Sequence, residues 1–331
     1  MCSEAFNSPF AGVGVFVNAG SRNENLDTTG VAYLHERSVL NGTNTRTGAQ
    51  LSADIAESGG SYDSATGREI SHHTLKVLSD QVPRAVEILG GIVSNTNVNE
   101  NALEADREAV RLVHEANHTE HEHITLENVH FNAFREHMIG QPVRGDRDNL
   151  SNLTAEDVHN YHAQNYYGDN LVVVGTGNHD HNELVDLVEQ HFSNVPKTSD
   201  TVQGANTERP IYIPALLFIR DDEMYNSNVG VFYDAPGVKH QDYWGFQLLQ
   251  RMFGDYRIDK HAGHINFSQK QYNSMHTVLI ELPDVTRSRC HHLAYSDAGL
   301  FGNWFFGNEV FSRQMAWLGM HGPTTYGQLV N

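Results

Sequence analysis

"VGVFVNAGSRNENLDTTGVAYLHERSVL", residues 13 to 40, decides the fold. Val13 to Val17 alternates as a strand does, Gly20 marks a turn, and from Val31 onward the apolar residues recur at helical spacing. The pattern returns as "VGVFYDAPGVKHQDYWGFQLLQRMFG", residues 229 to 254. The same four letters stand at Val229 to Phe232, Ala-Pro-Gly makes the turn, and a helix runs through Phe246, Leu249 and Phe253. One strand-turn-helix opening used twice implies a duplicated domain.

The first copy can be followed outward from there. A helix is expected over 51–57, strands over 61–66 and 73–78, and a helix in "LSDQVPRAVEILGGIVSN" with Pro83 in its first turn, where a missing N–H costs least. Two further helices are expected between Asn101 and His137. Thr154 reads as the N-cap of the next helix, with acidic residues in the first turn that suit the helix dipole. A strand at Leu171 to Gly175 and an amphipathic helix carrying Leu184, Val185, Leu187, Val188 and Phe192 follow. This is an α+β pattern, each sheet covered by helices. "NVPKTSDTVQGANTERP" is polar and rich in turn formers, which places a linker between Val195 and Pro210. The expected domains are therefore 1–200 and 201–331, with "IYIPALLFIRDDEM" opening the second. That second copy is much the shorter, so it reads as a truncated or incomplete domain.

Composition narrows the function. With 41 acidic against 22 basic residues and a formal charge of −19, the chain lacks the clustered cations that a nucleic-acid backbone requires. Its longest apolar runs, such as Leu171 to Val174, are far shorter than the ~20 residues of a membrane helix, so a direct membrane span is not expected. Cys2 and Cys290 are too few and too far apart to suggest a disulfide framework. The opening "MCSEAFNSPF" has neither the Arg-rich amphipathic character nor the apolar core of a targeting peptide. The aromatics of "GNWFFGNEVF" suit a buried strand better than a subunit contact. "GVGVF" and "VGTGN" lack the spacing of a dinucleotide loop.

Taken in order, "AGSRNEN", "GVAYLHERSVLNGT", "DQVPRAVEILGGIVSN", "LEADREAVRL", "ELVDLVEQHF", "IRDDEM" and "YSDAGLFG" carry a likeness over most of the chain. They resemble the pitrilysin-like zinc peptidases with the inverted motif, and within them the branch of mitochondrial processing-peptidase beta subunits and respiratory core proteins. In active members the helix motif H-x-x-E-H holds zinc on two imidazoles while the Glu activates water. Here the helix reads Tyr33-Leu34-His35-Glu36-Arg37, and the resemblance places Val113 where the third ligand, a Glu, would stand. Only the base, Glu36, is retained. A neutral phenol is a poor zinc ligand and a guanidinium has no lone pair to give. A cation about 4 Å from Zn²⁺ would also repel it by roughly 8 kcal/mol at an effective dielectric of 20. Tyr33, Glu36 and Arg37 share one helical face at i, i+3 and i+4, so a hydrogen-bonded plug is expected there, with His35 pointing elsewhere. The family's substrate edge matches Asp63-Ser64 and Gly67-Arg68-Glu69, which puts peptide binding in question too.

The respiratory core-protein branch keeps the Glu and carries Tyr for the leading His, as this chain does. The resemblance then implies a non-catalytic core subunit of ubiquinol–cytochrome c reductase on the matrix side of the mitochondrial inner membrane. It would have no cofactor of its own. Its partners would be a second core protein of processing-peptidase alpha type, and cytochrome b, cytochrome c1 and the Rieske subunit, in a homodimeric complex.

A rival reading rests on "HEANH", a literal H-E-x-x-H in which His114 and His118 share a helix face and Glu115 is placed as a base. A third ligand would have to come from His121, His123, Glu136 or His137, none at a specific spacing. In a helix so rich in His and Glu the five letters also arise by chance. A metallopeptidase or passive metal site there is the alternative, and accident is the reading favoured.

Overall fold

The computed structural model describes residues 2–43, 45–94, 98, 100–116, 120–199, 208–220, 224–257, 279, 282 and 284–329. Two compact units are present, Met1–Glu115 with Gln141–Thr207, and Ala116–Gly140 with Glu208–Asn331. Compared with a split at residue 200, the later boundary falls after Thr207 and 116–140 belong to the second unit.

The first unit is built on strands β1 (Cys2–Ala5), β2 (Phe10–Val17), β3 (Ser61–Thr66), β4 (Ser71–Leu78) and β5 (Leu171–Gly177), in the order β1-β5-β2-β4-β3. Only the β1–β5 pair is parallel. Alternation sets the faces: Ala11, Val13, Val15 and Val17 of β2 are buried while Phe16 is exposed, and Val15 lies opposite both His73 of β4 and Val173 of β5. The buried face is covered by helices α1 (Val31–Ser38), α2 (Gly48–Glu57) and α3 (Val82–Ser94), followed along the chain by α4 (Glu100–Ala116). Val86, Ile88, Leu89, Ile92 and Val93 of α3 join Leu34, Leu51 and Leu75 in one apolar core. Each such side chain contributes about 1.5–3 kcal/mol by leaving water.

The chain then crosses the second unit in α5 (His121–Ala133). It returns through the short α6 (Arg147–Leu150) to α7 (Ala155–Asn165) and α8 (His181–His191). Thr154 caps α7 as the sequence implies, in a reciprocal box with Asp157. The start of α1 is held differently. Glu24 is buried and its two carboxylate oxygens accept the Gly30 and Ala32 amides at 2.9 and 2.8 Å. Gly30 itself has φ +94°, and a Cβ there would stand 2.9 Å from the Cα of Gly145, so the two backbones meet where no side chain fits.

The second unit repeats the frame in an antiparallel sheet of β6 (Asn226–Ala235), β7 (Asp255–Arg257), β8 (Val285–Ala294) and β9 (Gly299–Asn308), ordered β6-β9-β8-β7. Helices α9 (Tyr243–Phe253) and α10 (Ser312–Leu329) take the chain positions that α1 and α3 hold in the first. Val229 to Phe232 lies in β6 as Val13 to Phe16 lies in β2. The aromatic run of β9 is buried, with Trp304 and Phe305 in the interior. α5 belongs here because its side chains have their partners here. Thr125 and Val129 lie over Gly230, His130 bonds Tyr295 at 2.5 Å, and Glu122 reaches Arg289 and His291 at 3.2 and 3.0 Å. In the segment that opens the second copy, 209–220 carry neither helix nor strand, and Asp221, Asp222 and Glu223 lie outside the described residues. Among the described residues no helix is long and apolar enough to cross a membrane.

Candidate functional site

The inverted-motif helix is α1, and its residues separate by face. Leu34, His35 and Glu36 are buried, Tyr33 is half-buried, and Arg37 is exposed. The expected plug does not form, since no hydrogen bond joins Tyr33, Glu36 and Arg37. Glu36 instead accepts a bond from the Ser64 hydroxyl of β3 at 3.1 Å, and its other carboxylate oxygen is buried without a partner. Arg37 acts on Asp106 of α4, whose carboxyl burial raises, while Asn41 bonds that carboxyl and Arg37 favours its charge. Val113, two turns beyond Asp106 on α4, is half-buried and offers no donor atom.

These residues do not fit a zinc ion. At the positions the resemblance assigns to ligands stand a phenol, a solvent-facing guanidinium and a hydrocarbon, none of which could share a cation with the orphaned Glu36 oxygen. Two clefts in this unit, of about 350 and 320 Å³, lie elsewhere: one is lined by Asp80, Pro83, His179 and Glu183, the other by Arg107, Arg111 and Arg147. The edge strand β3 places Asp63 in solvent, where it pairs with His72 at 3.3 Å, and Glu69 is held by Arg22 at 2.6 Å.

Of the rival motif, His118 lies outside the described residues. His114 faces the Arg144 carbonyl through Nε2 at 3.2 Å. Glu115 is exposed and bound by two guanidiniums, Arg111 and Arg147, which occupy the carboxylate a base would need free. In the second unit His121 stacks on Phe306, and both ring nitrogens of His137 are taken, by the Glu208 carbonyl and the Ile139 amide. Glu136 is exposed. Among the described residues no three His, Cys, Asp or Glu side chains are arranged to hold a metal ion.

His35 does turn away from the Glu36 face, and what it meets was not foreseen. Its Nε2 lies 3.0 Å from Nδ1 of His162 on α7, and Tyr166 packs against both rings. His73 of β4 sits between two phenols, Tyr62 at 2.8 Å and Tyr166 at 3.1 Å. The signals were present. His73 shares its strand face with Leu75 and Val77, and His162 stands four residues from Val158, so both point inward.

A family profile described as insulinase, peptidase family M16, matches residues 1–147, and one described as the peptidase M16 inactive domain matches 152–314. The beta subunit of mitochondrial-processing peptidase from Neurospora crassa is 29% identical over 89% of this chain and 62% of its own length. Cytochrome b-c1 complex subunit 1 from Bos taurus is 25% identical over 92% of this chain and 62% of its own. The chain thus spans about three fifths of these relatives. Among solved structures, a chain of complex III2 from Candida albicans superposes with TM-score 0.76 over 94% of this chain and 70% of that one. A protease from Helicobacter pylori does so with 0.81 over 96% and 75%, each at 17% identity. Likeness at that level concerns the fold, and the fold is shared by a respiratory complex and a protease.

Proposed function

Because the chain belongs to the M16 peptidase family, we propose that it is a non-catalytic core subunit of mitochondrial ubiquinol–cytochrome c reductase, on the matrix side of the inner membrane. The observation that carries this reading is the state of the inverted motif. Tyr33, Arg37 and Val113 stand at the three ligand positions, and the retained Glu36 is tied to Ser64. The subunit would pair with an alpha-type core protein and sit beside cytochrome b, cytochrome c1 and the Rieske subunit in the homodimeric complex. Its two halves, 1–200 and 201–331, are read as copies of one ancestral domain. Exposed apolar side chains on the second unit, among them Trp244, Leu248, Trp317 and Met320, suit burial against such neighbours.

Blue-native electrophoresis followed by mass spectrometry tests the assignment. Migration with cytochrome b and the Rieske protein is expected, and migration as a free two-subunit peptidase would overturn it. The second reading, a zinc metallopeptidase of processing-peptidase beta type or with a site at His114, Glu115 and His118, is favoured by the retained Glu36 and by the relatives of that name. It requires chelator-sensitive cleavage of presequence peptides that disappears in Glu36→Gln or in Glu115→Gln. No such cleavage is expected.

A further inference from the structure

The first unit encloses a group of side chains that neither reading of the function uses. Three imidazoles and two phenols from four elements meet in its core: His35 of α1, Tyr62 of β3, His73 of β4, His162 of α7 and Tyr166 just beyond it. His35 and His73 have no exposed surface and Tyr166 almost none. The bonds run from Tyr62 through His73 to Tyr166, whose ring lies 4.6 Å from that of His35 and 4.7 Å from that of His162. We propose that this cluster is an acid-operated latch, which holds α7 against α1 and the sheet while its imidazoles are neutral and releases α7 when they take up protons.

The geometry excludes a proton on both rings of the His35–His162 pair. Between His35 Nε2 and His162 Nδ1 one nitrogen donates and the other accepts, so a proton on both rings would set N–H against N–H. Nδ1 of His35 is buried with no partner, so a proton there gains no bond. Among the described residues no carboxylate bonds any of the three imidazoles, although the charge of Glu36 bears on Tyr62 and Tyr166. Glu36 on α1 is bonded to Ser64, Asp63 on β3 to His72 of β4, and Glu24, which faces Tyr161, to the amides of Gly30 and Ala32. His72 and His159 also face the cluster and disfavour a proton on its imidazoles. Burial above all, then neighbouring imidazoles, holds His73 down to about 3 and His162 to about 4, with His35 also well below the ordinary histidine range.

The sign follows. The unfolded chain binds these protons near the ordinary value of about 6.5 and the closed unit does not, so the latch is intact above that pH and weakens as pH falls toward the folded values. The other end of the same core, Val86, Leu89 and Ile92 of α3 with Leu184 of α8, is apolar and does not titrate. Acid therefore acts on one end of the helical layer. The device operates whichever reading of the function is correct.

Hydrogen exchange of the intact chain between about pH 8 and pH 5, corrected for intrinsic rates, tests it. Protection in 31–38 and 155–166 is expected to fall by about 100-fold or more across that range while 82–94 keeps its protection. The double variant His35→Leu, His162→Leu should lose most of that pH dependence. A wild-type change below about threefold, or a double variant with the full dependence, would overturn the latch. Should the variant not fold, the wild type decides alone: equal loss in 82–94 and 155–166 would mean acid unfolding of the whole unit and no latch.

Discussion

The two units run the same course of strand, helix, hairpin and helix, and then treat the first helix in opposite ways. α1 buries Val31, Ala32, Leu34, His35, Glu36 and Ser38, because α7 and the 20–30 segment close over it. α9 buries only Phe253 and leaves Trp244 and Leu248 76% and 63% exposed. The leading strands differ likewise. β2 has β4 on one side and β5 on the other, while β6 pairs with β9 alone among the described residues. The opposite faces of the two sheets reverse the contrast, since α5 covers Gly230 in the second unit and Phe16, beside the equivalent Gly14, is exposed in the first. A repeated sequence thus specifies the frame. What lies over each copy decides whether its helix is core or surface.

That contrast can be broken most easily at two leucines. Leu34→Ala, from a fully buried site, is expected to cost about 3 kcal/mol, and Leu248→Ala in the isolated chain no more than about 0.5 kcal/mol. Urea unfolding read by hydrogen exchange for the first unit, and by emission of Trp244, Trp304 and Trp317 for the second, separates the two. Equal costs would erase the distinction. The helix starts provide a smaller effect. Glu24→Ala strands two buried amides and should cost about 2 kcal/mol, whereas Asp242→Ala at the start of α9, whose side chain caps nothing, should leave the tryptophan-detected midpoint unmoved. The smallest is the cap of α7: Thr154→Ala is expected to cost about 1 kcal/mol and to lower protection in 155–166 before it lowers protection in α3.

Much of this was legible in the letters. The doubled Val-Gly-Val-Phe located both leading strands, and Pro83 and Thr154 located helix starts. α5 was legible as a helix and not as a member of the second unit, because its place depends on Glu122, Thr125 and His130 finding partners far along the chain. The plug failed for a related reason. Residues at i, i+3 and i+4 share a face, but a strand edge offering Ser64 bound Glu36 first and Arg37 turned to water and Asp106. The buried imidazoles follow the period as well, His73 on the face of Leu75 and Val77 and His162 one turn from Val158.

The order of strands in the first sheet also imposes a timetable. β2, β3 and β4 are near neighbours in sequence and can pair as a hairpin and its continuation as soon as they leave the ribosome. β1 precedes them all, yet among the described residues its neighbour is β5 alone, so Cys2 to Ala5 must wait for Val174 to Gly177 to be synthesised before pairing with it. Throughout that wait the free side of β2 lies open, an unpaired edge of a kind that other nascent chains can join. A need for shielding during translation, relieved once residue 177 has emerged, is the consequence expected of this topology.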